Sequence, residues 1–326
     1  MTMNVAARAL RDRMVGRVFS AVATPCRPDG SVHAEALSDY ATSLAQSRLG
    51  GFAVWAHTGR AAYVTDREQR LILATFRDAT EKPIIVGVTP SRALPASATL
   101  EDKIASMIAS ACQASDLGAD AIMVFPITEL EHSDDRIAHT VEAHDRIANT
   151  SGLPVIGFYL HPGAGGFPYD VALLDELLKL DSVAGVKMAS LFDAVGTQDA
   201  IDAVRSRGRL AITGEDRMFG PSLMWGCESA LVGIAAAAVD LTVDVLDAWM
   251  SGDRSAFISS SKVLDDFAKA TFYAPIEGYV QRMLWAAEIE GLIPAHAAHD
   301  PFGPPPADGE RAKVRRFLSS LAPSTP

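Results

Sequence analysis

Short, almost continuously apolar segments alternate along the chain with longer segments in which apolar residues recur every three or four positions. The short segments are typical of β-strands covered on both faces, and the longer ones of amphipathic helices. Strands are predicted over 18–25, 51–56, 83–88, 121–126, 154–159, 183–188, 210–214 and 230–235. Helices are predicted between them over 32–47, 65–79, 100–118, 133–152 and 168–180. The chain is therefore built from repeated strand–helix units.

This alternation predicts an α/β fold of the (β/α)8 (TIM) barrel type, because eight such units within about 250 residues is the barrel's count. A doubly wound sheet also alternates, but it usually carries a glycine-rich phosphate loop after its first strand. Here the first strand ends in ATPCRPDG, which contains no such loop. We divide the chain into an N-terminal helical extension (1–16), the barrel (17–239) and a helical C-terminal subdomain (240–326). That subdomain is expected to pack outside the barrel or at a subunit interface.

Composition narrows the possible partners. The 326 residues are 48% hydrophobic and carry a net charge of −11, with 29 Lys and Arg scattered along the chain, which argues against a nucleic-acid partner. Three cysteines without close spacing argue against a disulfide framework and fit a reducing cytoplasm. No segment approaches the ~18 consecutive apolar residues of a membrane span. We expect a soluble cytoplasmic protein with no membrane partner.

Lys187 is the strongest chemical signal in the sequence. It lies in VAGVKMAS (183–190), a segment otherwise suited to a doubly buried strand, where an unpaired ammonium group is costly. Alternation places it on one face with Val183 and Gly185, and Gly185 is expected to leave room beside the amine if that face points into the barrel. Desolvation would lower the pKa of the amine and make it able to attack a ketone and form an imine. The alternative is a lysine that reaches solvent from the strand end.

Other polar residues fall at predicted strand ends, where a barrel carries its active site. Tyr159 ends strand five, and its hydroxyl is predicted to lie near Lys187 and move protons, unless it is an amphipathic tyrosine at the rim. HTGR (57–60) offers a hydroxyl and backbone N–H groups that can hold a carboxylate, although a plain turn is commoner. GEDR (214–217) follows strand seven. No nicotinamide, flavin or ATP fingerprint accompanies these residues, so no cofactor is predicted.

Five segments, in chain order, resemble motifs of the dihydrodipicolinate synthase/N-acetylneuraminate lyase superfamily of Schiff-base-forming, pyruvate-type lyases and aldolases. FSAVATPCRPDGSV resembles its opening strand and TPF-x-x-DG turn, and FAVWAHTGRAAYVTDREQR stands where GTTGE-x-x-x-L-T-x-E-E-R occurs. FYLHPG replaces YNVPG, GVKMAS is similar to GIKxAS, and ITGEDRMFGPSLMWGCESALVGIAA is similar to SGDD…LALGAxGVIS. The likeness spans about residues 16–295 and implies a barrel with a C-terminal helical subdomain, commonly a homotetramer.

The resemblance also implies roles for individual residues. By analogy, Lys187 is the Schiff-base lysine and Tyr159 the proton-transfer tyrosine. Thr58, with the Gly59 backbone, is the corresponding clamp for the substrate's carboxylate.

The chain departs from the family pattern at several motif positions. His57 stands in place of the first motif threonine, and Arg60 in place of the motif glutamate. Thr128 replaces the tyrosine that neighbouring subunits lend one another, and Leu160 replaces the motif asparagine. Ala164 replaces the arginine that binds the aldehyde substrate. Loss of that tyrosine and arginine argues against dihydrodipicolinate synthesis, and the other departures fit sialic acid cleavage poorly.

The sequence therefore predicts a 2-oxo-acid lyase, that is, an aldolase, hydratase-aldolase or dehydratase, with Lys187, Tyr159 and His57 as catalytic residues. The predicted substrate-binding residues are Thr58, Gly59, Arg60, Gly214 and Arg217. Arg60 or Arg217 is expected to hold a second acidic or polar group. The expected partners are a small 2-oxo acid such as pyruvate and further copies of the chain, as a tetramer or dimer.

Two alternatives remain open at this point. One is a metal-dependent barrel enzyme that uses His57, His161 and Glu215, although these residues lack a compact motif such as HExxH. The other is a non-catalytic relative that binds 2-oxo acids, for which the replaced motif residues give the reason.

Overall fold

The computed structural model describes residues 2–321 and has a closed barrel of eight parallel strands. The strands are β1 Val18–Ala21, β2 Gly51–Val54, β3 Ile84–Val88, β4 Ala121–Val124, β5 Val155–Leu160, β6 Val183–Ala189, β7 Leu210–Thr213 and β8 Ser229–Val232. Each strand pairs with the next one in the chain, and β8 pairs with β1, which closes the barrel. The predicted (β/α)8 fold is confirmed.

Twelve α-helices of seven to eighteen residues surround or extend this barrel in residues 2–321. They are α1 Val5–Met14, α2 Ala34–Ala45, α3 Asp66–Ala79, α4 Leu100–Asp116, α5 Arg136–Ser151, α6 Val171–Leu177, α7 Ala194–Ser206, α8 Phe219–Trp225, α9 Val239–Ser251, α10 Arg254–Thr271, α11 Tyr279–Ile289 and α12 Glu310–Leu321. No helix in these described residues combines the length and apolarity needed to cross a bilayer.

Two apolar layers hold the barrel together. One layer lies between the strands and the helices, and the other fills the barrel interior with side chains such as Phe19, Met123 and Phe158. The buried face of α1, which includes Leu10 and Met14, belongs to the interior cluster. The N-terminal extension is thus a packing helix at one end of the barrel, and the site can form only at the other end.

The C-terminal helices do more than cover the outside of the barrel. The short segment before α11 and the loop after it reach the C-terminal ends of the strands, where Glu277 and Asp300 both contact Arg60. Arg282, within α11, is itself buried and is held by Glu310 and by backbone carbonyls. The C-terminal subdomain therefore supplies part of the barrel mouth.

An extra residue in β6 determines which of its side chains enter the barrel. Val183 pairs with Val155, but the next residue of β5, Ile156, pairs with Gly185, so Ala184 has no partner of its own. Such a bulge shifts the in–out alternation of every later residue by one position.

Beyond the bulge, Lys187 pairs with Phe158 of the interior cluster. Val183, before the bulge, packs in the layer between strands and helices. The expectation that Val183 and Lys187 share a face is therefore wrong, since the sequence pattern contains no sign of the extra residue.

Candidate active site

Lys187 lies inside the barrel on the C-terminal half of β6, and only 5% of it is exposed. Its Nζ lies 4.3 Å from the ring centroid of Phe158, and it forms no ion pair or hydrogen bond with a side chain of residues 2–321. Burial outweighs the attraction of Asp216 and Glu215 and lowers the pKa of Lys187 to about 8. Near neutral pH a useful fraction of this amine is therefore uncharged and nucleophilic.

Gly214 makes room for the Lys187 side chain. It follows β7 directly, and a Cβ at this position would lie 2.5 Å from Cε of Lys187. A Cβ on Gly185 would instead meet the carbonyl oxygen of Leu210 at 2.2 Å. The expectation that Gly185 leaves room beside the amine is therefore wrong, because that glycine permits the close approach of β6 and β7. Gly214 acts on the lysine, and nothing in its contacts marks it as a substrate ligand.

Two buried carboxyl groups follow Gly214. Asp216 accepts a hydrogen bond from the N–H of Ile234 at 2.7 Å, and its burial raises its pKa to about 7. Glu215 is completely buried, and burial raises its pKa as well. It accepts hydrogen bonds from the amides of Ser190 and Leu191, at 2.6 and 3.0 Å, and so fixes the turn after β6. Of the two, Asp216 exerts the larger attraction on the charged form of Lys187, and Glu215 the smaller.

Tyr159 extends from the opposite face of the sheet. It pairs with Met188, and both side chains pack in the layer between strands and helices. Its hydroxyl donates a hydrogen bond to Asp193 at 2.9 Å, and its ring stacks on Tyr169. The structure therefore does not bring this hydroxyl to Lys187, contrary to the expectation from the sequence, because the two residues are one register position apart across the strand pair.

A second tyrosine reaches the barrel mouth from the C-terminal part of the chain. The hydroxyl of Tyr279, the first residue of α11, lies 3.1 Å from Oγ1 of Thr58. The same ring comes within 3.2 Å of the position that a Cβ on Gly233 would occupy, beside Asp216. Sequence reasoning missed Tyr279, since nothing near it in the chain indicates a contact with β2.

The turn after β2 offers backbone donors, although not the expected one. The Gly59 amide donates to the carbonyl of Ala56 at 3.1 Å, and the Gly59 carbonyl accepts from the Thr24 hydroxyl at 2.8 Å. Within residues 2–321, the amides of His57 and Thr58 have no hydrogen-bond acceptor. A carboxylate clamp in this turn would therefore use those two amides and the Thr58 hydroxyl instead of the Gly59 amide.

Arg60 is buried and paired with two acidic residues. Its guanidinium donates to both carboxylate oxygens of Asp300, to the Glu277 carboxylate at 2.6 Å and to the Glu277 carbonyl at 2.8 Å. His57 Nε2 also bonds the Glu277 carboxylate, at 2.9 Å. Burial alone would raise the pKa of Glu277, but these bonds from His57 and Arg60 lower it to about 2. Arg60 is thus neutralised within the protein, and its expected substrate-binding role is not supported.

Arg217 makes its contacts with the C-terminal helices. Its guanidinium donates to the carbonyl of Phe272 at 3.1 Å and lies 3.9 Å from the carboxylate of Asp265. These contacts do not place Arg217 at the cavity described below. Its expected role, to hold an acidic or polar group of the substrate, is therefore also not supported.

The three residues considered as metal ligands do not form a ligand set. Glu215 is bonded to backbone amides and His57 to Glu277, as described above. His161 is buried, and desolvation together with nearby His57 lowers its pKa to about 4. Within residues 2–321, no three histidine, cysteine or acidic side chains are grouped so that they could hold a metal ion.

A cavity of about 330 Å³ lies at the mouth of the barrel and is lined in part by His57, Tyr63, Arg92, Phe125 and Glu277. Phe125 packs edge-to-face on Phe158 at 5.0 Å, and Phe158 covers the amine of Lys187. Lys187 does not itself line this cavity, and the packed pair of Phe125 and Phe158 lies between the two. A depression of about 770 Å³ between the segments 61–69, 89–94 and 106–113 is larger and shares Tyr63 and Arg92 with this cavity, but His57, Phe125 and Glu277 do not line it. The smaller cavity has the size of a small-molecule site.

Comparison with known proteins agrees with this architecture. The model of the dihydrodipicolinate synthetase family matches residues 14–321. A 4-hydroxy-tetrahydrodipicolinate synthase of Bifidobacterium longum is 26% identical over 282 residues, which is 86% of each chain. A DapA-like lyase of Halobacterium salinarum is 28% identical over 240 residues, 73% of each chain.

Solved structures show the same fold at lower identity. YagE, a prophage protein of the dihydrodipicolinic acid synthase family from Escherichia coli K12 in complex with pyruvate, superposes with a TM-score of 0.80 at 18% identity, over 94% of this chain and 98% of its own. A sialic acid aldolase of Ruminococcus gnavus gives 0.79 at 17% identity, over 95% and 97%. With the family model covering nearly the whole chain, this protein belongs to the dihydrodipicolinate synthetase family.

Proposed function

We propose that this protein is a Schiff-base-forming lyase that cleaves or forms a carbon–carbon or carbon–oxygen bond of a 2-oxo acid. The observation that carries the proposal is the buried Lys187 amine, which has no ion-pair partner in residues 2–321 and whose pKa burial lowers to about 8. A charged lysine in that position would cost stability, so its presence favours a chemical role for the neutral form.

In the first step the neutral amine of Lys187 attacks the ketone carbon of the substrate. The carbinolamine loses water, and the product is a protonated imine that withdraws electrons from the neighbouring carbon. A bond to a group on or beside that carbon can then break, its electron pair moving toward the imine nitrogen. The enamine that remains takes up a proton at carbon to become an imine again, and water hydrolyses that imine to return the ketone and the free amine.

The carboxylate of the 2-oxo acid would bind at the turn after β2. Three hydrogen-bond donors lie there: the amides of His57 and Thr58 and the Thr58 hydroxyl. The two amides have no acceptor in residues 2–321, and the hydroxyl contacts only the hydroxyl of Tyr279. Oriented donors of this kind hold an anion without reorganisation during the reaction.

Proton transfer would depend on Asp216 and on the Tyr279–Thr58 pair. The pKa of Asp216, which burial raises to about 7, is matched to accept the proton that Lys187 releases, with water as the carrier since the two groups form no ion pair. Tyr279 connects to the same region through Thr58 at 3.1 Å. Tyr159, bonded to Asp193, has no assigned part in this scheme.

Sodium borohydride in the presence of pyruvate tests the proposal, because it reduces an imine to a stable secondary amine. Intact and peptide mass spectrometry should locate the adduct on Lys187, and Lys187→Met should abolish it. Lys82→Met is the control, since Lys82 is also partly buried and desolvation lowers its pKa, but it donates to the carbonyl of Ser47 outside the site. Absence of an adduct across a panel of 2-oxo acids would refute the proposal.

We also propose that the protein works in the cytoplasm as a homo-oligomer, a dimer or tetramer. Large apolar side chains on its surface support self-association, among them Phe192, which is 83% exposed, and Ile258, which is 69% exposed. Its three cysteines are free, as in proteins of reducing compartments. Light scattering after gel filtration measures the assembly, and a monomer at micromolar concentration would contradict it.

A further inference from the structure

The charged groups around the barrel-mouth cavity bond to one another, with one exception. Arg60 faces the carboxylates of Asp300 and Glu277, and Glu277 is also bonded to His57. Arg92 lines the same cavity, yet it forms neither an ion pair nor a hydrogen bond with residues 2–321. Arg92 is thus a guanidinium at this cavity that has no ion-pair or hydrogen-bond partner in the described part of the chain.

Aromatic stacking holds this guanidinium in place. The Cζ atom of Arg92 lies 3.5 Å from the ring centroid of Tyr63, and Tyr63 stacks on Phe302 at 4.8 Å between centroids. Stacking occupies the flat face of a guanidinium and leaves the N–H groups at its edge free. Arg92 is therefore oriented, although it lies on an exposed loop, and its edge can still receive a planar anion.

We propose that Arg92 recognises a second carboxylate on the substrate, at the end remote from the ketone, so that the protein acts on 2-oxo dicarboxylic acids. This inference rests on the proposed function, since Lys187 must hold the ketone end. A carboxylate matches the edge of a guanidinium with two parallel hydrogen bonds, and those bonds are charge-assisted.

The neighbouring acidic groups make Arg92 the site for this carboxylate. An anion next to Glu277 would be repelled unless a cation lies beside it, and the charge of Arg60 is already opposed by Glu277 and Asp300. The cavity volume of about 330 Å³ is large enough for the carboxylate-bearing tail of a small substrate. A 2-oxo acid with an uncharged tail would leave Arg92 without a partner and gain nothing from it.

Borohydride trapping with substrates of different tails tests the inference. Oxaloacetate, 2-oxoglutarate and 2-oxoadipate should reach half-maximal labelling of Lys187 at lower concentration than 2-oxobutyrate or 2-oxohexanoate. In Arg92→Gln the concentration for half-maximal labelling should rise about 10- to 100-fold for the best dicarboxylate, because a charge-assisted hydrogen-bonded pair is lost. For the monocarboxylates the same concentration should change less than about twofold. Arg70→Gln, which removes an exposed arginine of α3 that does not line the cavity, should change neither.

Two results would overturn the inference: no preference of the native protein for dicarboxylates, or equal losses for both classes in Arg92→Gln. Calorimetric titration of Lys187→Met with 2-oxoglutarate separates this inference from the proposed chemistry. Binding that Arg92→Gln weakens in that background supports the carboxylate site even when no imine forms. Binding that Arg92→Gln leaves unchanged contradicts it, and Arg92→Lys should restore only part of the affinity because lysine cannot form the two-pronged pair.

Discussion

The hydroxyl of Tyr159 lies 2.9 Å from the carboxylate of Asp193, on the helix-facing side of the sheet. Its neighbour in β5, Phe158, points the other way and contacts the amine of Lys187. Burial raises the pKa of both Tyr159 and Tyr279 well above the ordinary value, so it is their positions, and not their pKa values, that distinguish the two tyrosines. The tyrosine that touches the candidate site is Tyr279.

Removal of the Tyr159 hydroxyl should therefore leave the chemistry nearly intact. In Tyr159→Phe, we expect the rate of borohydride trapping with pyruvate to stay within about threefold of the native rate, because only a bond to Asp193 is lost. Tyr279→Phe should lower the rate at least about tenfold, since it removes a group proposed to take part in proton transfer. The opposite ranking of the two variants would return the proton-transfer role to Tyr159.

The pH dependence of imine formation should shift when Asp216 is neutralised. The negative charge of Asp216 raises the pKa of Lys187, against the larger lowering by burial. Asp216→Asn removes that charge and keeps an oxygen for the Ile234 amide, so the pKa of Lys187 should fall below about 8. Trapping rates measured from pH 5 to pH 10 should therefore rise at lower pH than in the native protein. A shift to higher pH would contradict the electrostatic effect of Asp216 on the pKa of Lys187.

Replacement of Lys187 by methionine should stabilise the fold while it abolishes the activity. The pKa of Lys187 falls from 10.5 to about 8 on folding, which corresponds to about 3 kcal/mol of disfavoured charge. Asp216 loses its opposing cation, so the net gain at pH 7 should be smaller, about 1–3 kcal/mol in the free energy of unfolding. Burial of the ammonium group destabilises the fold fully at pH values below the pKa of Lys187 in the folded protein, and not at all above its pKa in the unfolded chain. The gain should thus be largest below about pH 8 and fade toward pH 10.5, as urea titrations can measure.

A methyl group at Gly214 should displace the lysine. The added Cβ of Gly214→Ala would lie 2.5 Å from Cε of Lys187 and 2.7 Å from the carbonyl oxygen of Met188, so both the lysine side chain and the end of β6 must move. We expect trapping to slow at least about tenfold, because misplacement of a reacting group by about 1 Å costs up to about 100-fold in rate. Gly157→Ala is the control: its Cβ would meet the movable Cδ2 of Leu177 at 3.1 Å, on the helix-facing side. Equal effects of the two variants would mean that Gly214 matters only for strand packing.

Arg60 should contribute to stability far more than a surface arginine does. Arg60→Ala leaves Asp300, whose side chain is 1% exposed, as an unpaired buried charge, for which we expect a loss of about 3–5 kcal/mol. Arg48 also faces several carboxylates, including Asp244 and Asp247, but its side chain is 48% exposed. Arg48→Ala should cost no more than about 1 kcal/mol. Urea unfolding of both variants makes the comparison, and a small loss for Arg60→Ala would reopen its role as a substrate ligand.

Much of the fold could be predicted because its signals are local. Apolar runs identified the eight strands, and the helical periodicity over 65–79 identified α3, which begins with a capping box of Thr65 and Glu68. Lys187 could be found because an ionisable group in an apolar strand is conspicuous in the sequence itself.

The arrangement of the site was less predictable, because it depends on contacts between distant parts of the chain. Arg60 meets Asp300 across 240 positions, and Thr58 meets Tyr279 across 221. No periodicity links residues so far apart, so no protein partner could be predicted for Arg60, and it was assigned to the substrate.

By itself, the sequence determined that this chain closes a barrel of eight strands and places one lysine near their C-terminal ends, since both follow from the spacing of apolar residues. Only the tertiary structure decided which groups surround that lysine. A single extra residue at Ala184 reverses the faces of β6 beyond it, and the C-terminal helices bring Tyr279, Glu277 and Asp300 to the barrel mouth. The reason is physical: side-chain direction depends on the register with a neighbouring strand, and register is fixed by packing across the whole sheet.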